Sequence, residues 1–505
     1  MMKKQYKIGT RGSLLALTQC NQIKAQLEKI TGDEFELEII KTQGDQITDK
    51  PLWQLEGNNF FTKELDDALI SDKVDLVVHS YKDLGSLRPD GITLAAVTKR
   101  SFAHDILLIK QSTIEQIKNQ NQFIVGTSSP RRTVNLTNHL AKLLPTKNEI
   151  TIVPKMLRGN VNTRIEKLRN GDYDAIVLAL AGIERLALTA ESCIQLRKLL
   201  DGITFMVLPQ SLFPSSASQG ALGIECKINR NDHGELLEKL KKLEDANTKE
   251  EVARERQAFN NYGGGCHLAV GINVKKMNHL FVHIHRGELN GHSIEKISIE
   301  GRELPVLNSK GLFFNGHHKE DELIDKKPLE VKVKKNLNLY VTSKFCIHAL
   351  REENQASTIW SAGVKTMENL AKEGIWVNGS ADSFGDAEII KLKSSKALSL
   401  MSDLSTPFGV LTNNESTSEI GETIPCYERV VNPNYSDEFK NKINQTDIFF
   451  WTSYNQYKTY LEFFPNIKNK IHTCGLGKTY DQFRKNQTEV LPFSNIDELK
   501  KWMKQ

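Results

Sequence analysis

Short runs of β-branched and aliphatic residues recur along the first 225 positions, interleaved with stretches whose apolar residues follow helical spacing. "ELEIIKT" (Glu36–Thr42), "VDLVVHS" (Val74–Ser80), "GITLAAVT" (Gly91–Thr98) and "FIVGTSS" (Phe123–Ser129) predict strands. "FFTKELDDALISDK" (Phe60–Lys73) and "RGNVNTRIEKLRNGD" (Arg158–Asp172) predict helices. "YDAIVLALAGIERL" predicts a strand running into a turn. Continuous apolar strands separated by helices predict an α/β fold with largely parallel pairing and both sheet faces covered.

The pattern changes at Lys227. "LLEKLKKLEDANTKEEVARERQAF" is helical, and "HLFVHIHRGELNGHSIEKISIEG" alternates on either side of Asn290-Gly291. Asn-Gly between two alternating runs predicts a two-residue hairpin. Residues 227–318 therefore form a small α+β domain, and the charge-dense stretch after it predicts a linker over 319–337. Residues 338–505 carry a weak internal repeat. "LYVTSKFCIHAL" (Leu339–Leu350) answers to "FFWTSYNQYKTYL" (Phe449–Leu461), and "IWSAGVKTMENLAKEGIWV" to "IHTCGLGKTYDQFRKNQTEV". Each copy reads strand, Thr-Ser turn, helix, strand, small-residue turn, helix. Two such copies predict a two-lobed α/β region with a cleft between the lobes.

Composition narrows the class. A chain of 505 residues is several domains long, and 39% apolar with 26% charged residues is globular composition. The net charge of +5 does not point to nucleic acid. No run approaches the roughly 20 apolar residues of a membrane span, and "MMKKQYKIGTRGS" lacks the apolar core of a signal peptide. Seven scattered cysteines without CxxC pairs fit a reducing, cytoplasmic setting rather than a disulfide framework. The expectation is a soluble cytoplasmic monomer with no nucleic-acid or membrane partner.

Candidate chemistry gathers at strand ends. "TSSPRRTVNL" brings Thr127, Ser129, Arg131 and Arg132 to the start of a predicted helix, an arrangement suited to an anion or to a plain capped helix. Arg158 and Arg164 in "LRGNVNTR", Arg185 in "GIERL", and Arg11 and Ser13 in "IGTRGS" repeat the theme. Repeated strand-end arginines point to a ligand with several carboxylates. "HSYKD" ends another strand with Ser80, Lys82 and Asp83, a pair that reads as catalytic or as a surface ion pair. Cys266 follows Gly263–Gly265, whose backbone freedom keeps the approach to the thiol open. No metal site is expected. His283 and His285 share a strand face without a completing carboxylate or cysteine, and "GLGKT" lacks the phosphate-loop glycine, having His472 there.

In order, "IGTRGSLLALTQ", "KTQGD", "FFTKELDDALI", "DLVVHSYKDL", "VGTSSPRR", "LRGNVNTRIEKL", "YDAIVLALAGIERL", "SQGALGIE" and "GGGCH" resemble the porphobilinogen deaminase (hydroxymethylbilane synthase) family over about residues 5–290. The resemblance implies two lobes like those of type II periplasmic binding proteins. Domain 1 would be residues 1–100 and 208–226, domain 2 residues 101–207, and domain 3 residues 227–318. It also implies a dipyrromethane cofactor joined by thioether to Cys266, and porphobilinogen as substrate. Units add with loss of ammonia until the tetrapyrrole is hydrolysed away. Asp83 would be the catalytic carboxylate. Arg11, Ser13, Ser80, Lys82, Thr127, Ser129, Arg131, Arg132, Arg158, Arg164, Arg185 and Gln219 would contact cofactor or substrate, with Asn58 and Phe61 in the active-site loop. The chain departs from the family pattern at Asn58 (usually lysine), Leu84-Gly85, His104 (usually arginine) and Ala269 (usually proline), so an impaired, purely anion-binding protein is the alternative. Residues 338–505 more faintly resemble uroporphyrinogen-III synthase, with Thr479 as the candidate residue there.

Overall fold

The computed structural model describes residues 3–42, 62–85, 87–265, 267–307, 311–316, 321–350 and 356–504, a mixed α/β protein built on five sheets. The first sheet runs, edge to edge, Glu34–Ile39, Gln5–Thr10, Leu76–Ser80, Leu222–Lys227, Ile92–Val97. The second runs Thr151–Lys155, Gln122–Gly126, Ala175–Ala179, Asp105–Lys110, Ile203–Val207. Largely parallel pairing is not what forms. Leu222–Lys227 lies antiparallel to both its neighbours, and so does Asp105–Lys110. The chain crosses between the sheets after Ile92–Val97 and returns on Leu222–Lys227. A strand that arrives from the other sheet enters from the opposite end.

The predicted strands and helices sit within a few residues of their expected bounds, with one change of type. Leu180–Ala187 is a helix rather than a turn, seated directly on the strand Ala175–Ala179, with Leu180 N donating to His104 O at 3.0 Å. The charged stretch after Lys227 is two helices, Glu235–Lys241 and Ala246–Asn261, the second capped by Asp245, whose side chain accepts from Thr248 N. Leu289 pairs with His292 across Asn290 (φ 52°) and Gly291 (φ 77°), the expected two-residue turn. With Ala269–Met277 this hairpin makes a three-stranded antiparallel sheet.

The segment read as a linker carries structure. Ile324–Pro328 is the outer, antiparallel strand of a six-stranded sheet; Leu312–Phe314, placed by the sequence pattern at the end of the small α+β domain, instead joins a separate four-stranded sheet. The two Thr-Ser strand ends share a backbone conformation, although a 3-10 turn, Lys344–Ala349, follows the first and an α-helix, Tyr454–Phe463, the second. Ser343 (φ −153°, ψ 154°) and Ser453 (φ −156°, ψ 156°) take nearly the same conformation, and each side-chain oxygen caps the helical turn after its strand. Hydrophobic packing continues from the second sheet into the six-stranded one, where the Phe205 and Trp360 rings stand 6.0 Å apart in a shared core. Among the described residues no helix is long and apolar enough to cross a membrane.

Candidate active site

The strand Leu76–Ser80 ends in a single 3-10 turn, Tyr81–Asp83, which leaves Asp83 exposed and Lys82 half-buried. Ser80 Oγ accepts a hydrogen bond from the buried Gln19 Nε2 at 2.8 Å, tying the strand end to the helix Leu14–Thr31. Ser13 caps that helix, its Oγ accepting from Ala16 N at 3.4 Å, and Arg11 stands half-buried just before it. The turn itself is held by the helix Ala246–Asn261. Arg256, on Ala246–Asn261, donates to Tyr81 O at 3.3 Å and Leu84 O at 3.0 Å while its guanidinium lies 4.6 Å from the Tyr81 ring centroid. The same helix leads into Gly263–Gly265, so one element braces the Asp83 turn and launches the glycine loop. Arg256 is not singled out by the sequence, where it is one of many charges on a charged helix.

Opposite lies a cationic group built on the second sheet. Ser129 caps the helix Pro130–His139, and Thr127 Oγ1 accepts from Ser129 N at 3.2 Å. Arg131 and Arg132, in the first turn, are both buried and converge on Asp105. Arg132 grips it with both Nε (3.0 Å) and Nη2 (2.7 Å), Arg131 Nη2 reaches it at 2.9 Å, and Gln219 Nε2 at 2.9 Å. Burial works against the Asp105 carboxylate, but the two guanidiniums outweigh it and hold its pKa far below the usual range. Arg132 Nη1 donates to Val177 O and Arg131 Nη1 to Pro214 O. Arg132 and Gln219, expected to face a ligand, thus commit their donors to Asp105 and the main chain. Arg131 retains a buried Nε without a hydrogen-bond partner. Asp105 has one trace in the sequence, an acid directly before the four apolar residues of the strand "DILLIK".

Electrostatics connect the two halves. Burial pushes the Lys82 ammonium down; Asp83 and Asp105 pull it up, Arg132 and Arg131 push it down, and the net is a lowered pKa. Arg164 donates to Gly159 O at 2.7 Å; burial, then Arg132 and Arg158, bring it down to about 10. Arg158 Nε is buried with no hydrogen-bond partner. Lys82 thus senses Asp83, Asp105, Arg131 and Arg132, and Arg164 senses Arg132 and Arg158, so these five basic side chains form one connected group. Arg185 stands apart, buried, donating to Gly220 O at 2.8 Å and lowered to about 10 by burial alone. Asn58, Phe61 and Cys266 lie outside the described residues.

A second grouping spans the two C-terminal sheets. Arg429, on Glu422–Val431 of the six-stranded sheet, donates from Nη1 to Ser453 Oγ at 2.7 Å and keeps a buried Nε without a hydrogen-bond partner. Lys326 pairs with it across the sheet, and Lys326 and Lys344 flank the Phe345 ring at 4.6 and 5.2 Å. Burial, with Arg429 next, lowers Lys326 to about 8. Thr479 Oγ1 donates to Thr452 O at 3.2 Å, beside Ser453. The sequence points to the Thr-Ser strand ends but misses Lys326 and Arg429, which lie in strands rather than motifs.

Among the described residues, Asp66, His79 and Glu225 lie close enough to share a metal ion. Arg88 already occupies that charge role, bound to Asp66 and reaching Glu225 from Nε and Nη2 at 2.7 Å each.

The mixed α/β fold and the connected group of basic side chains, with unpaired N–H groups on Arg131 and Arg158, define an α/β protein with an anion-receptive site. A family model described as "Porphobilinogen deaminase, dipyromethane cofactor binding domain" matches residues 6–235. The porphobilinogen deaminase of a Nitratiruptor species is 40% identical over 267 residues, 52% of this chain and 77% of that protein. That of Sulfurimonas denitrificans is 42% identical over 275 residues, 54% and 79% of the two chains. A polar amino acid transporter binding protein from Streptococcus thermophilus is 14% identical, with a TM-score of 0.28 over 52% of this chain and 87% of that one, too distant to carry an argument. The chain belongs to the porphobilinogen deaminase family.

Proposed function

We propose that the N-terminal half is a hydroxymethylbilane synthase, joining four porphobilinogen units with loss of four ammonia molecules and closing the sequence with one water. The observation that carries this reading is the connected group of Lys82, Arg131, Arg132, Arg158 and Arg164, which begins beside an exposed Asp83 on a braced turn. A dipyrromethane group fits that donor set. Each of its pyrroles carries acetate and propionate side chains, and Arg158 and Arg131 keep buried, unpaired N–H groups for such carboxylates. When bound, the group supplies a nucleophilic pyrrole carbon onto which substrate units are joined, and Cys266 holds it by thioether.

The chain's own residues then have distinct tasks. Asp83 presents its carboxylate where positive charge develops on a pyrrole nitrogen as ammonia departs, and stabilises that charge. Lys82 and Arg164 hold the acidic side chains of incoming units. Arg256 keeps the Asp83 turn in place, while Asp105 fixes Arg131 and Arg132 without entering the chemistry.

For residues 338–505 we infer a uroporphyrinogen-III synthase-like domain, supported by Arg429 donating to Ser453 between two sheets, with Lys344 and the preceding Lys326 close to the Phe345 ring. Cations in that position suit a linear tetrapyrrole bearing many carboxylates.

Three measurements test these readings. Intact mass of the purified protein should show a two-pyrrole adduct that Cys266→Ala removes. Asp83→Asn should abolish ammonia release while leaving the adduct in place. Separation of uroporphyrinogen isomers made from porphobilinogen should give type III. An unmodified, inactive wild type refutes the first reading, and type I alone refutes the second.

A further inference from the structure

The C-terminal region does not hang from the deaminase; it is bound into it at residues adjoining the cationic site. Four contacts establish this. First, Ile203–Val207 is the outer strand of the second sheet, and Val207 N donates to Asn378 O at 2.7 Å, just before the outer strand Gly379–Ser380 of the six-stranded sheet. Phe205 O accepts from both Trp376 Nε1 and Asn378 Nδ2, each at 3.1 Å. An edge that would otherwise present free backbone groups is thereby covered.

Second, the buried Glu184 carboxylate accepts from Ser395 Oγ (2.6 Å), Ala397 N (3.0 Å) and Lys396 N (3.1 Å) at the start of the short helix Lys396–Ser399. Third, Ser211 donates from N and Oγ to Asp382, while Ser211 O accepts from Arg286 of domain 3. Fourth, the buried Glu388 binds Lys275 of domain 3 and stands 3.4 Å from His104 of domain 2. Burial keeps His104 at about 4, so it meets Glu388 as a neutral ring.

Two of these tethers are immediate chain neighbours of site residues. His104 precedes Asp105, the carboxylate that fixes Arg131 and Arg132, and His104 O also receives Leu180 N at the head of the helix carrying Arg185. Glu184 precedes Arg185 on that helix. A displacement of either tether displaces its neighbour, because the two are joined by a single peptide bond, at the entry to the strand Asp105–Lys110 in one case and within the helix Leu180–Ala187 in the other.

We propose that the C-terminal region acts as the positioning frame of the deaminase site, with Glu388 and Glu184 as positioning residues that hold the Asp105–arginine group and Arg185 in register through His104 and helix Leu180–Ala187. This rests on the deaminase reading above. It assigns the appended region a part in the first reaction that does not depend on chemistry of its own.

The test is steady-state kinetics of ammonia release from porphobilinogen by the full-length holoprotein. Wild type, Glu388→Gln and Glu184→Gln are compared, each checked for its two-pyrrole adduct and melting temperature. Networks of this kind shift coupling by about 2- to 30-fold. KM should rise by that factor in both variants, with kcat within about twofold. Glu388→Asp, which restores the charge, should recover part of the KM. A merely structural role would lower the melting temperature and leave KM unchanged, and that result overturns the proposal. So does a KM unchanged in stable, adduct-bearing variants of an active wild type. An inactive wild type overturns the deaminase reading and this inference with it.

Discussion

Replacing Asp105 with asparagine tests the electrostatic core of the site with almost no change of shape. The wild-type carboxylate is 1% exposed and receives Arg131 Nη2, Arg132 Nε, Arg132 Nη2 and Gln219 Nε2 at 2.7–3.0 Å. At an effective dielectric of 20, two unit charges at 4 Å attract by about 4 kcal/mol, so the two pairs total roughly 8 kcal/mol before desolvation. Desolvation of the three ions cancels much of that. Removing one partner of a buried pair nevertheless costs about 3–5 kcal/mol, because the remaining charges stay buried without compensation. Here two guanidiniums would be left side by side, which places the loss at the upper end. For a folding unit of about 150–250 residues or more, each kcal/mol moves the melting temperature by about 2–4 °C, so Asp105→Asn should lower it by about 10 °C or more.

The effect has a pH signature. The folded pKa of Asp105 lies below its unfolded value, so its stabilisation is complete above roughly pH 4 and is lost as pH falls through the folded value. Calorimetric melts at pH 7 and at decreasing pH should therefore show a gap between wild type and variant that is widest at neutrality and narrows in strong acid. A drop of less than about 3 °C at pH 7 would refute the argument that this carboxylate neutralises two buried arginines.

Other perturbations have equally direct readings. Arg256→Ala removes two hydrogen bonds and a ring contact from the Asp83 turn; kcat for ammonia release should fall by about 10²-fold from misplacement of Asp83 while the adduct persists in the mass spectrum. Gly271→Ala would set a Cβ 2.3 Å from Pro214 O, the acceptor of Arg131, and the melting temperature should fall by several degrees, about 1–3 kcal/mol of overpacking. Lys326, lowered to about 8, should lose its charge above that pH in the folded state while the unfolded chain keeps it. Stability of the C-terminal region should rise between about pH 8 and 10, whereas its affinity for a linear polycarboxylate, followed by tryptophan fluorescence, should fall. Lys326→Met should flatten both trends.

What the sequence discloses depends on whether the signal is local. Strands such as Leu76–Ser80 and the hairpin at Asn290-Gly291 are local patterns, period two with a turn pair, and are readable. Leu180–Ala187 is not, because one unbroken apolar run suits a buried strand and a buried helix equally. Ile324–Pro328 ("IDKKP") escapes because lysines and a proline are what an outer strand tolerates, and they read as a linker. At the site, the arginines and Asp83 announce themselves through strand-end motifs. Their supports do not: Asp105 meets Arg132 across 27 positions, Arg256 meets Tyr81 across 175, and Glu388 meets Lys275 across 113. Long-range partners leave no spacing to read.

The covered edge at Ile203–Val207 has a consequence during synthesis. Its cover, Asn378, is about 170 residues further along, and at roughly 5–20 residues per second a ribosome takes about 10–30 s to deliver it. Once residues up to the hairpin at Asn290-Gly291 have emerged, the deaminase half can fold around its site for the rest of that interval yet carry a bare, apolar strand with open backbone groups, the surface that recruits foreign strands. Slow translation, or a stall between the two halves, should therefore harm this chain more than a protein whose sheet is closed by its own neighbouring segment. The nascent chain is the stage at which a general chaperone would have most to protect.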